Sequence, residues 1–304
     1  MYSCNFVDNI DLVVIEKNFI KSLEKTKELF IWQIALGVEL IDFAQKRIED
    51  GKNKFLPTVE DLNPNTRFVE NRLLNQWKNN KEIVSEISYY KVDWSNHIEV
   101  IRRLYNNIKE SEDFNTYLNN KDSYENDKQI VSLIYSNIIF NDDFFIDFYE
   151  TKNISWYTDF CILNFGINKF IENYQESFDE FYKLPSLVKK DTTESETDLE
   201  YSTLLLKSVI LHNDKYVKTI EKRVINWDIE RVSLVDMIIM QMALSEFLNF
   251  PTIPIKVTIN EYIEISKIFS TPKSRFFING ILDTLVVELK KDNQINKTGR
   301  GLIE

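Results

Sequence analysis

Glu261 and Glu264 stand three residues apart, a spacing that brings two carboxylates to one helical face for acid–base work or metal binding. Neither has a histidine three residues on, and Glu261 is equally placed to complement a helix N-terminus. The rest of the chain adds little. With His97 and His212 as the only imidazoles, a histidine-based metal centre or catalytic relay has almost nothing to work with. Cys4 and Cys161 make no CxxC pair, which argues against a zinc site and against a disulfide scaffold. Neither a Gly-rich phosphate loop nor a GxSxG elbow occurs. Composition and spacing nominate no catalytic residue, metal or cofactor.

Binding chemistry is better supplied. In STPKSRFFING (270–280), Lys273 and Arg275 make a local positive site where a helix begins, and helix-start N–H groups also favour anions. On spacing alone Phe277, flanked by Phe276 and Ile278, reads as a core residue.

The elements that position these residues are helices. Ser270-Thr271-Pro272 reads as a hydroxyl cap followed by proline at the first helical position. Ile278, Leu282, Leu285 and Leu289 then form a buried stripe, within which Gly280 costs roughly 1 kcal/mol relative to alanine. Close packing against a neighbour would account for that glycine; so would chance. Upstream, Val232, Val235, Ile239 and Met242 line one face of a helix that ends at Asn249-Phe250-Pro251. The next helix has two mutually exclusive starts, a capping box at Thr258–Glu261 or Pro254 in the first turn.

Helical spacing also runs through residues 15–50, with Gly51 as the stop, and recurs near 66–79, 94–109, 124–140, 155–174 and 200–225. LPTVEDLNPNT (56–66) separates the first of these from the second. NDDFFIDFYE (141–150) predicts an amphipathic helix burying Phe144, Phe145 and Phe148. Six glycines and six prolines in 304 residues fit this picture and exclude turn-rich β architecture. The most apolar stretch, Phe30 to Ala44, is interrupted by Gln33, Glu39 and Asp42 and is too short to span a bilayer. The opening residues lack a signal-peptide pattern, so a cytoplasmic protein with no membrane partner is expected.

The net charge of −11 is unevenly placed. Positions 201–304 carry 14 basic and 12 acidic side chains, whereas the first 200 carry 23 and 36. The change falls near SLVKKDTTESETDLE (186–200), which reads as a linker or as an ordinary solvated loop. We divide the chain into an acidic helical region, 1–190, and a C-terminal helical domain, 191–304.

Residues 225–285 carry NWDIERV, the helix VDMIIMQMALSEF, an IP-x-KV-x-INE-x-x-EI-x-K block and FINGILD, in that order. This stretch resembles the C-terminal half of the NusB family of bacterial transcription antitermination factors. The tail KTGRGLIE and the acidic region before residue 200 resemble a longer variant of the family. The resemblance implies an all-α fold, built of helical bundles, with a NusB-like C-terminal half and a helical N-terminal extension. It also implies a non-enzymatic role: binding boxA-type RNA, pairing with NusE (also a small-subunit ribosomal protein) and joining RNA polymerase in antitermination of ribosomal RNA transcription.

Residue by residue, Phe277 matches a family aromatic that stacks on RNA, an interaction worth roughly 1–3 kcal/mol per base. Lys273 matches an RNA-face position where other members can carry an acid. Tyr2 and Asp236 match positions associated with the first helix and with NusE contact, although Asp236 also fits an ordinary charge on the exposed side of its helix. Met1-Tyr2-Ser3 falls where the family has L-Y-S preceded by an Arg-rich segment, so a misplaced or truncated start is expected. Without those arginines, the alternative is a helical module that holds NusE and binds RNA weakly or not at all. NusB-like domains also precede some ribosomal RNA cytosine methyltransferases. No nucleotide-binding domain follows here up to Glu304, and no enzyme is expected.

Overall fold

Few glycines and prolines, and apolar residues at helical spacing, leave the chain little choice but helix. The computed structural model describes residues 11–153, 156–186, 198–224 and 232–302. Among them there are fourteen α-helices and no strand, so the all-α expectation holds. No helix among the described residues is long and apolar enough to cross a membrane.

By its internal contacts the chain forms two units, Met1–Ile20 with Val188–Glu304, and Lys21–Leu187. Helix α1 (Leu12–Lys52) starts in the discontinuous unit and runs on into the continuous one. Within the discontinuous unit, Glu16 of α1 pairs with Lys207 at 2.7 Å.

The continuous unit holds the rest of α1 and then α2 (Val59–Leu62), α3 (Arg72–Asn79), α4 (Lys81–Tyr89), α5 (Ile98–Glu110), α6 (Glu112–Asn119), α7 (Tyr124–Leu133), α8 (Asp143–Lys152) and α9 (Trp156–Asn173). Its core is aromatic: Trp77 stacks on Phe170 at 5.4 Å, and the buried Tyr135 hydroxyl donates to the Gln33 carbonyl at 2.5 Å. Asp127 is buried and accepts from the Arg72 guanidinium at 2.7 Å and the Tyr117 hydroxyl at 2.9 Å, which satisfies its charge away from water. Two expectations need correction here. Gly51 lies inside the last turn of α1 rather than past it, and its bare Cα is covered by the Asp61 carboxylate of the α2 capping box. Of the three phenylalanines in α8, Phe145 is fully buried and Phe148 packs at the edge of the core. Phe144 stays 38% exposed beneath the Arg103 guanidinium.

The discontinuous unit adds α10 (Asp198–Leu211), α11 (Asn213–Glu221), α12 (Leu234–Asn249), α13 (Ile255–Phe269) and α14 (Ser274–Lys291), followed by a 3₁₀ turn, Gly299–Leu302. The 200–225 pattern is thus two helices broken at His212. Helix α12 is the axis of the unit, touching α10, α11, α13 and α14. That is why its buried set is not the one predicted stripe, of which Ile239 alone is fully buried and Val232, Val235 and Met242 are half-buried, but includes Met240, Ala243, Leu244 and Phe247, along with polar Gln241, Ser245 and Glu246. The predicted stripe of α14 is buried as expected, at Ile278, Leu282, Leu285 and Leu289.

Candidate nucleic-acid interface

Ser233 caps α12, its hydroxyl accepting from the Asp236 N–H at 3.0 Å. The Asp236 side chain points inward and is buried, which removes the reading of an exposed charge. Its carboxylate accepts from the hydroxyls of Ser270 and Ser274, the latter at 2.9 Å, and Thr271 Oγ1 lies 2.8 Å from Ser274 Oγ. One buried acid in the first turn of α12 therefore fixes the whole α13–α14 turn. The cap expected at Ser270-Thr271-Pro272 is displaced: α14 begins at Ser274 with Lys273 at the N-cap, because the serine hydroxyls are committed to Asp236.

The outer side of that turn is basic and aromatic. Lys273 and Arg275 are exposed, as their assignment to a positive site requires. Phe277 is half-buried and packs on the core of this unit, as its flanking by Phe276 and Ile278 suggested. Phe276, no more than a flank of Phe277 on sequence grounds, is 69% exposed with the Arg275 guanidinium 4.6 Å from its ring centre. The signal was available. Position 276 lies two residues, about 200°, from the buried stripe at Ile278 and so faces outward. Beyond the backbone of its own helix, no atom of the described residues lies within 4 Å of where a Gly280 Cβ would be, so packing among them does not explain it.

The remaining predicted residues lie elsewhere. Tyr2 and most of NWDIERV (226–232) fall outside the described residues. Glu261 and Glu264 are both exposed, and Glu264 pairs with Lys267 at 2.5 Å. Among the described residues no group of three or more His, Cys, Asp or Glu side chains could hold a metal ion.

The buried carboxylate near α13 is instead Glu246, which no spacing marked. It accepts from Thr258 Oγ1 at 2.6 Å, from the Tyr262 hydroxyl at 3.2 Å and from the Tyr201 hydroxyl. Burial, then the Glu246 charge, pushes the Tyr262 phenol well above its ordinary value; burial and the hydrogen bond to Glu246 do the same to Tyr201. The bond from Thr258 also settles the start of α13. Thr258 sits inside the helix facing Glu246, and Pro254 is the N-cap. At the other end of α12, the Lys297 ammonium donates to the carbonyls of Glu246 at 3.3 Å and Phe250 at 2.8 Å, tying the C-terminal tail down. Burial lowers the pKa of that lysine. The tail also needs Gly301, since a Cβ there would collide with the Pro251 carbonyl oxygen.

Among the described residues the protein is all-helical, with a basic, aromatic turn pinned from inside by a buried acid. Comparison with known proteins narrows this. The NusB family model matches residues 166–286. The transcription antitermination protein NusB of Salinibacter ruber is 35% identical over 131 residues, 43% of this chain and 82% of that protein. The NusB proteins of Chloroherpeton thalassium and Desulfatibacillum aliphaticivorans are 40% and 43% identical over 100 and 93 residues. These matches cover 33% and 31% of this chain, and 47% and 65% of the relatives. The chain belongs to the NusB family. No solved structure matches it.

Proposed function

We propose that the protein is an RNA-binding transcription antitermination factor that pairs with NusE and binds boxA-type RNA in ribosomal RNA transcription, as part of the RNA polymerase antitermination complex. It acts by binding, in the cytoplasm and without a cofactor. The relatives named as transcription antitermination proteins support the role. The observation that carries RNA binding is the α13–α14 turn: Lys273 and Arg275 are exposed at the start of α14 while Asp236 holds the turn rigid from below. Two cations beside helix-start N–H groups attract phosphates, and the accessible part of Phe277 offers a ring to a base. Tyr2 and Asp236 are assigned to NusE pairing by the family positions they match, Asp236 from a buried place in α12.

The test is affinity for a boxA-type single-stranded RNA, with and without NusE, over a range of salt. Neutralising Lys273 and Arg275 together is expected to weaken binding and to flatten its salt dependence. If the full chain with NusE shows no salt-dependent RNA affinity, RNA binding is excluded. Retained NusE binding would then favour a protein-holding module.

A further inference from the structure

We infer that Phe276 is a second base-stacking platform, gripped by Arg275 and kept open by Gly280. This rests on the RNA-binding reading and goes beyond it in naming a residue and the way it is presented. Phe276 is 69% exposed and sits beside exposed Lys273 and Arg275, so the described residues leave an accessible ring next to two cations. The Arg275 guanidinium, 4.6 Å from the ring centre, lies over that ring as a cation–π partner and orients it. The same guanidinium is a phosphate ligand, which places one positive charge and one aromatic surface within a nucleotide's span.

Gly280 completes the arrangement. Residues four apart are neighbours on a helix face, and Cβ bonds lean toward the N-terminus, so a side chain at 280 would lean toward Phe276. No described residue outside the helix's own backbone occupies that space, and the helix carries a residue that weakens it. A flat group approaching the ring closely from the C-terminal side needs that clearance. With Lys273 also exposed at this turn, the charge selects a polyanion, and the ring and the clearance select its bases. The occupant is single-stranded RNA with an unstacked base.

The full chain is titrated with a boxA-type single-stranded RNA. Phe276→Ala and Phe276→Leu are each expected to lose about fivefold or more in affinity, while Phe276→Trp retains it. Phe276→Leu keeps an apolar side chain but has no ring, so undiminished binding by that variant overturns stacking. Undiminished binding by Phe276→Ala overturns the platform altogether. Unchanged melting temperatures, expected for so exposed a residue, keep these losses from being read as unfolding. If the wild-type chain binds no RNA even with NusE, the underlying reading falls. If it binds and only Lys273 and Arg275 matter, this inference alone falls.

Discussion

Ser274 donates a 2.9 Å hydrogen bond to Asp236, a residue 38 positions earlier in the chain, and both are buried. The bond joins the first turn of α12 to the first turn of α14, and Ser270 adds a second bond to the same carboxylate. A carboxylate is a strong acceptor with room for both hydroxyls, so one side chain immobilises the segment that presents Lys273, Arg275 and Phe276.

Asp236→Ala should therefore cost about 2–3 kcal/mol of stability, because the buried Ser274 hydroxyl and the half-buried Ser270 hydroxyl lose a charged acceptor. Asp236→Asn, which keeps one acceptor oxygen, should cost less. Urea unfolding measures both. RNA affinity should fall in the same order, although Asp236 itself is buried. An alanine variant as stable as wild type would refute the pinning role.

Gly280→Ala should raise stability by about 0.5–1 kcal/mol, since the position is helical and the added methyl meets nothing. The same variant should bind RNA less well than wild type if clearance beside Phe276 matters. A gain in melting temperature together with a loss of affinity is the signature.

Gly301→Ala should destabilise the discontinuous unit by about 2 kcal/mol, as a Cβ driven into the Pro251 carbonyl forces the tail away. The Thr298 N–H bond to Pro251, 2.9 Å long, and the Lys297 hydrogen bonds would go with it. Limited proteolysis should then cut the last residues sooner than in wild type, whereas equal cleavage rates would mean the tail accommodates the methyl.

In the continuous unit, His97 Nε2 lies 2.7 Å from the Lys152 ammonium, which also sits over the rings of Trp32 and Phe148. Burial first, and the lysine charge second, hold the His97 pKa below its ordinary 6.5. The folded state thus binds this proton less readily than the unfolded one. The stability it contributes is fully present above about pH 6.5 and is lost as pH falls through the lowered value. Melting temperatures below pH 6.5 should accordingly drop further for wild type than for His97→Ala. Parallel pH profiles would assign the titration elsewhere.

How far the sequence could be read differs between the two faces of α14. The inward stripe was legible because burial forces one residue type at a fixed period, and Ile278, Leu282, Leu285 and Leu289 obey it. Lys273 and Arg275 were legible as charges at a helix start. Their support was not, since Asp236 and Ser274 meet only after α12, α13 and α14 have packed, and no local spacing encodes that. Glu246 was invisible for the same reason. An acid inside an apolar helix reads as a solvated charge until Tyr201, Thr258 and Tyr262 are brought around it from two other helices. Phe276 was legible in principle, two positions from the stripe, but the family match falls on its neighbour Phe277.

The discontinuous unit has a consequence for the order in which the protein is made. Glu16 of α1 leaves the ribosome well before its ionic partner Lys207, with the whole of Lys21–Leu187 synthesised in between. At about 5–20 residues per second, that interval is on the order of 10–40 s. The continuous unit, with its aromatic core self-contained in sequence, is free to fold in that time. The Glu16–Lys207 ion pair must wait until the last third of the chain emerges, whereas Val13, Val14 and Ile20 stay exposed even in the finished fold. Nascent-chain arrest just after residue 187 should therefore yield a protease-resistant core beginning within α1, with residues before it still open to cleavage.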